Sequence, residues 1–256
     1  MKPVLILVLL CSISGSAFAS GVELAIVASL PNEKMSFVRE TLREKFDFTG
    51  KPGNTDYATA ITYFAQKNGV QTVSAIQVLT EEGSVTTDHF HQGLELGASQ
   101  APIVLAPLGG ADMQSSCLKM AAQPQTAFLL PIGSDAAFDN GALEPACYSA
   151  NILFVGGMNK ELTELAVNQT YGTKARIGVP YVTLTAPVGE DGRTITYTSK
   201  AFGLGMLAGK MAALLREEPS LRGGTLIQRF VDTKTAYLPS LLGKVRDARA
   251  LVDVEY

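Results

Sequence analysis

Residues 74–110 read SAIQVLTEEGSVTTDHFHQGLELGASQAPIVLAPLGG, and this stretch decides the fold class. Val73 to Leu79 is a mostly apolar run of strand length, the composition of a strand covered on both faces. Glu81-Glu82-Gly83-Ser84 is turn chemistry. Thr86 to Ala98 then places Phe90 and Leu94 on one helical face, and Ile103-Val104-Leu105 is a second buried strand. It runs into Pro107, Leu108 and the pair Gly109-Gly110. Strand, helix and strand in this order make one βαβ unit.

The same alternation extends outward. Leu24 to Val27 reads as a buried strand, and Asn32 can cap a helix carrying Val38, Leu42 and Phe46 at i, i+4 and i+8. Residues 50–54 are loop chemistry, followed by a helix with Tyr57, Ile61 and Phe64 on one face. Beyond Gly110, Asp112 to Met120 reads as a helix. Phe128 to Leu130, Ile152 to Val155 and Ile177 to Leu184 read as strands. Ala201 to Leu215 and Leu221 to Val231 read as helices. Repeated βα units predict an α/β domain: a mostly parallel central sheet with helices on both faces, three layers in all. No shift of composition divides the chain, so one domain is expected.

An apolar fraction of 46% and a charged fraction of 18% exclude a disordered chain of these 256 residues. The net charge of −3, with no run of Lys or Arg, lacks the electrostatic footprint of nucleic-acid binding. Lys2, the apolar run Val4 to Leu10 and Ala17-Phe18-Ala19 have the parts of a cleavable secretion signal. Residues 1–19 are therefore expected to leave, and residues 20–256 to form the mature periplasmic or secreted domain. Cys11 invites a lipoprotein reading, but Leu10 stands where a small residue would precede a lipidated Cys. No later stretch reaches about 18 uncharged apolar residues, so no transmembrane segment is expected. In an oxidising compartment Cys117 and Cys147 suggest one disulfide, the alternative being two separate buried thiols. Two Cys and two His make no convincing zinc site, and the loop acids Asp135, Asp139 and Glu144 match no calcium template. No cofactor and no metal are expected.

The order of segments resembles the subtilisin-like serine proteases over essentially the whole mature chain. The features are the 74–110 stretch closing on Leu108-Gly109-Gly110, and Ile152 to Gly157, similar to a family strand ending Val-Gly-Ala. Ala186-Pro187 matches an Ala-Pro-Gly turn, and Leu207-Ala208-Gly209 the Val-Ala-Gly of the nucleophile helix. Pro219-Ser220-Leu221 and Gly243-Lys244-Val245 echo the C-terminal part. The resemblance implies the subtilisin-like sandwich and a site for acyl transfer by Ser, His and Asp with an oxyanion donor.

Carried over position by position, that site looks dismantled. Ala28 stands where the first strand of the family ends in Asp. Asp56 stands at the base His, and an ordinary carboxylate with a pKa near 3.9 is a poor base for a serine. The bland role for Asp56 is to complement the dipole of the helix it opens. Counting back from Leu207 without a gap puts Ala201 at the nucleophile; a second alignment, with an insertion, puts Ser199 there. Ser134 stands at the oxyanion Asn. The only histidines, His89 and His91, are expected half-buried or exposed on a helix beside the sheet, facing different directions. Only Ser20 to Val22 separates the leader from the first strand, so no pro-region is expected.

The expectation is an exported, catalytically inactive protease homologue that binds a peptide or protein partner by β-addition. Leu105, Pro107, Leu108 and Gly109 on one side and Leu130, Ile132 and Gly133 on the other would line its groove. Pro107 removes one backbone donor from it. Two alternatives stay open. One is a divergent serine hydrolase using Ser199, with Asp56 or Lys200 as base. The other is a structural subunit of an envelope or secretion complex.

Overall fold

The computed structural model describes residues 21–108, 113–132, 145–166 and 175–256. The proposed leader, Gly109, Gly133, Ser134, Asp135, Asp139 and Glu144 lie outside the described residues.

Strand β1 (Leu24–Ala28) is buried at every position, as its unbroken apolar sequence requires. It sits inside a nine-stranded sheet, hydrogen-bonded on one side to β3 (Val73–Gln77) and on the other to β4 (Ile103–Leu105). Beyond β3 lies β2 (Leu42–Asp47). Beyond β4 follow β5 (Ala127–Pro131), β6 (Ile152–Met158), β7 (Ile177–Pro180) and β11 (Arg249–Leu251). These strands are all parallel. Among the described strands of this sheet, only β10 (Thr235–Tyr237), on the far edge, runs antiparallel to its neighbour. Helices α3 (Thr87–Gln100) and α4 (Met113–Ala121) cover one face; α2 (Thr55–Lys67), α5 (Lys200–Glu217) and α6 (Gly223–Lys234) cover the other. The α/β architecture expected from the alternating elements is the one observed.

Because β3 and β4 flank β1 from opposite sides, the sheet has a switch point at β1. In open α/β sheets the crevice beyond the carboxyl ends of such strands is where ligands bind. Ala28, Pro107 and Pro131 with Ile132 lie at the carboxyl ends of β1, β4 and β5.

Two expected elements take a different form. The helix through Val38, Leu42 and Phe46 is only one turn and a half long (α1, Ser36–Thr41), and Leu42 begins β2. A spacing of four fits a helix and equally fits every second residue of a strand. The alternation half-buried, exposed along Leu42-Arg43-Glu44-Lys45-Phe46-Asp47 shows which period won. Asn32 does not cap α1: its side chain accepts from Lys34 N at 3.1 Å and donates to the Val188 carbonyl at 2.8 Å. The single strand expected from Ile177 to Leu184 is two. β7 ends at Pro180, which has no N–H to continue the ladder, and β8 (Thr183–Pro187) pairs with β9 (Thr194–Thr198) in a separate hairpin.

The Cys117–Cys147 disulfide is formed, with Cα atoms 4.8 Å apart, and ties α4 to the short 3₁₀ turn Pro145–Tyr148. Both half-cystines are fully buried.

Candidate functional site

Helix α5 starts at the mouth of the crevice. Ser199 is its N-cap: the hydroxyl oxygen accepts from Ala201 N at 3.1 Å, satisfying one of the donors a helix start leaves unpaired. The same oxygen is 2.9 Å from the Tyr57 hydroxyl on α2. Tyr57 is brought there by the packing of α2 on α5, where the rings of Phe64 and Phe202 lie 5.1 Å apart and those of Tyr57 and Phe202 6.1 Å. Burial raises the Tyr57 phenol above its ordinary value, and the bond to Ser199 partly offsets this. A phenol held in that direction stays protonated at neutral pH and takes no proton from a serine.

Lys200, the first residue of α5, is 7% exposed. Its ammonium donates to the Ile132 carbonyl beyond β5. Burial pushes its pKa down to about 8, because desolvation penalises the charged form. Ala201 is buried and presents a methyl group. Tyr57, Pro107, Pro131, Ile132, Ser199 and Lys200, with Tyr181 and Tyr197, line an open cavity of about 280 Å³.

Asp56 opens α2 beside this cavity, and both its oxygens are occupied. Arg193, at the turn of the β8–β9 hairpin, donates to them at 2.5 and 3.0 Å. Ala28 is fully buried at the end of β1. The histidines lie elsewhere. Both are half-buried on α3, and His91 Nε2 is 3.2 Å from the hydroxyls of Ser115 and Ser116 on α4. Among the described residues no imidazole lines the crevice, and no group of three or more His, Cys, Asp or Glu gathers as a metal site.

Of the residues assigned to the groove, Pro107 and Ile132 line the cavity. Leu105 and Leu130 are fully buried in the sheet, and Leu108 is 9% exposed. The N–H of Ala106 is already paired with the Leu129 carbonyl at 3.0 Å. Sequence reasoning brought Ser199, Lys200, Ala201 and Asp56 to one place and missed Arg193, Tyr181, Tyr197 and Pro131. The alternation Thr194-Ile195-Thr196-Tyr197-Thr198 is a period-2 signal that could have found the hairpin bringing Arg193 and Tyr197 to the site. Nothing local in the sequence links Arg193 to Asp56.

No protein-family model and no curated protein sequence matches the chain. Solved structures do. The chain is similar to a cold-adapted subtilisin-like serine proteinase, with a TM-score of 0.71 at 19% identity over 91% of this chain and 90% of that one. The fold is subtilisin-like. A structure of subtilase cytotoxin SubAB assembly matches with a TM-score of 0.71 at 17% identity, covering 91% of this chain and 88% of that one. The A-subunit of an AB5 toxin from E. coli matches at 0.69 and 16%, covering 90% and 89%. At these identities the likeness concerns the subtilisin-like fold and leaves the chemistry to the residues themselves.

Proposed function

We propose that this chain is an exported, catalytically inactive subtilisin-like protein that binds a peptide or protein partner at the crevice beyond β1, β4 and β5. The reading rests on the head of α5. Ala201 offers a methyl where the ungapped correspondence puts the nucleophile, and the neighbouring Ser199 is bonded to its own helix and to a tyrosine rather than to an imidazole. Ala28 in place of the orienting Asp, and Asp56 held by Arg193 in place of the base, agree with it. Export agrees with the leader-like residues 1–19 and the disulfide. Among the described residues no helix is long and apolar enough to cross a membrane. One similar structure concerns a cytotoxin's assembly, a likeness that favours a protein partner.

A divergent hydrolase acting through Ser199 is favoured by one observation: Lys200, with a pKa near 8, shares the cavity. Against it, Ser199 would have to give up its cap, and Asp56 is engaged elsewhere. A serine-reactive fluorophosphonate probe decides between the two. The inactive reading expects no labelling and no digestion of casein at neutral pH. Labelling that disappears in Ser199→Ala would overturn it.

A further inference from the structure

We propose that a second cavity, at the end of the sheet opposite the crevice, binds the phosphate of a small phosphate monoester, with Arg176 as the main donor. Gln125, Ala150 and Arg176 line it, and they lie just before β5, β6 and β7. The site therefore stands at the amino ends of those strands and is independent of what the crevice holds.

The open cavity measures about 600 Å³, within the roughly 300–1,000 Å³ of small-molecule sites. Its cation is built in. Arg176 is 9% exposed. Its Nε donates to Asp247 Oδ2 at 2.9 Å and its Nη2 to Gln228 Oε1 at 3.1 Å. Gln228 is held in turn by Asp232, to which its amide donates at 2.9 and 3.0 Å. These bonds fix the guanidinium plane and use one edge of it, and Nη1 has no partner among the described residues. A buried guanidinium already held in place gives a strong, directed bond to a phosphate oxygen. Asp247 offsets part of its charge, but Arg246 stands near enough that burial and then the Arg176 charge lower its pKa. Arg222 adds charge from the wall, its Nη1 committed to the Pro219 and Leu221 carbonyls. The described lining holds no Asp or Glu. Residues 167–174, outside the described ones, include Lys174 and no acid.

Two further donors line the same cavity. Ser220 is exposed, and its hydroxyl has no partner among the described residues. In the first turn of α6, Gly223 N donates to the Gln125 carbonyl at 3.1 Å and Thr225 N to the Arg222 carbonyl at 2.9 Å. The amide of Gly224 between them has no partner among the described residues. A helix start favours negative charge, so it adds to what Arg176 supplies. Three donors suit the three terminal oxygens of a phosphate monoester better than the two of a carboxylate. Pro124 and Ala150 give the organic part of the ester a small apolar wall.

The test titrates phenyl phosphate and benzoate into the purified protein by calorimetry at constant ionic strength. Phenyl phosphate should bind about tenfold tighter than benzoate. Arg176→Gln should abolish its binding, with folding checked by circular dichroism. Should that variant fail to fold, Ser220→Asp carries the test, because it sets a carboxylate at an exposed position of the lining and leaves the core alone. It should weaken phenyl phosphate binding about tenfold by like-charge repulsion. Equal binding of benzoate, no binding of phenyl phosphate, or binding that Ser220→Asp leaves unchanged overturns the inference. Sedimentation with phosphatidylcholine vesicles, with and without phosphatidic acid, separates the sources of the monoester. Capture that needs phosphatidic acid and is lost in Ser220→Asp assigns it to a lipid headgroup. Phenyl phosphate binding without vesicle capture assigns it to a soluble ester.

Discussion

Asp56 and Arg193, 137 residues apart in the chain, meet as a two-bonded carboxylate–guanidinium pair at the rim of the crevice. The pair ties the first turn of α2 to the turn of the β8–β9 hairpin. A second tie, from the Asn32 amide to the Val188 carbonyl at 2.8 Å, holds the same hairpin to the segment after β1. Asp56 thus has a structural occupation, and its position at the start of α2 also complements the helix dipole.

The pair is half exposed on the arginine side, 51% against 24% for the aspartate, so its worth is limited by solvent screening. A double-mutant cycle of Asp56→Asn and Arg193→Ala, read by urea unfolding, should give a coupling of about 0.5–1 kcal/mol. It should shrink in high salt. A coupling that salt leaves unchanged would mean the pair is not held by charge.

Gly209 lets α5 lie directly on the end of α2. A Cβ there would stand 2.5 Å from the Ala65 carbonyl oxygen and 2.7 Å from the Asn68 backbone carbon, neither of which is a flexible side-chain end. Gly205, one turn earlier, would meet the Ile61 carbonyl at 2.9 Å. Gly209→Ala should therefore cost about 1–3 kcal/mol by forcing the helices apart, despite alanine's better helix propensity. Thermal melts of Gly209→Ala and of an exposed-site alanine control would measure it.

The sheet was legible because its central strands are covered on both faces and read as apolar runs: Leu24 to Val27, Phe128 to Leu130 and Ile152 to Val155 all became strands. Edge strands were not. β2 carries Arg43, Glu44 and Lys45, and its Leu42–Phe46 spacing fits helix and strand alike. β10, on the other edge, and its neighbour β11 are three residues each, too short to show a period. Of the site, Ser199, Lys200 and Asp56 were reached through the resemblance to the subtilisin-like proteases, by counting along α2 and α5 from its motifs. Arg193, Tyr181 and Tyr197 come from a hairpin whose placement depends on contacts far apart in the chain.

The disulfide should carry a measurable share of stability. Its partners are 30 residues apart, and closing a loop of that length is worth about 2–4 kcal/mol through the unfolded chain. Replacing both cysteines by alanine should lower the urea midpoint accordingly. Because both are fully buried, dithiothreitol should leave the bond intact in the native protein and reduce it only once unfolding exposes it. Rapid reduction of the native fold would contradict this burial.

Lys200 gives the stability a predictable pH dependence. Its pKa falls from 10.5 to about 8 on folding, by burial. Between these values the unfolded chain binds more protons at this site than the folded one, so stability rises with pH across that window. Below about pH 8 the folded state carries the whole cost of a buried ammonium, and above about 10.5 none of it. The slope for one proton is at most about 1.4 kcal/mol per pH unit. Tyr57, raised on folding, acts with the opposite sign above its ordinary value, since the folded state then holds the extra proton. That contribution is common to both proteins when Lys200→Met is compared with the unaltered chain. The stability difference between them, from urea unfolding at pH 7 to 10.5, should be constant up to about pH 8. It should then shift in favour of the unaltered chain as the pH rises. A difference flat across the whole range would mean that Lys200 is not desolvated in the folded protein.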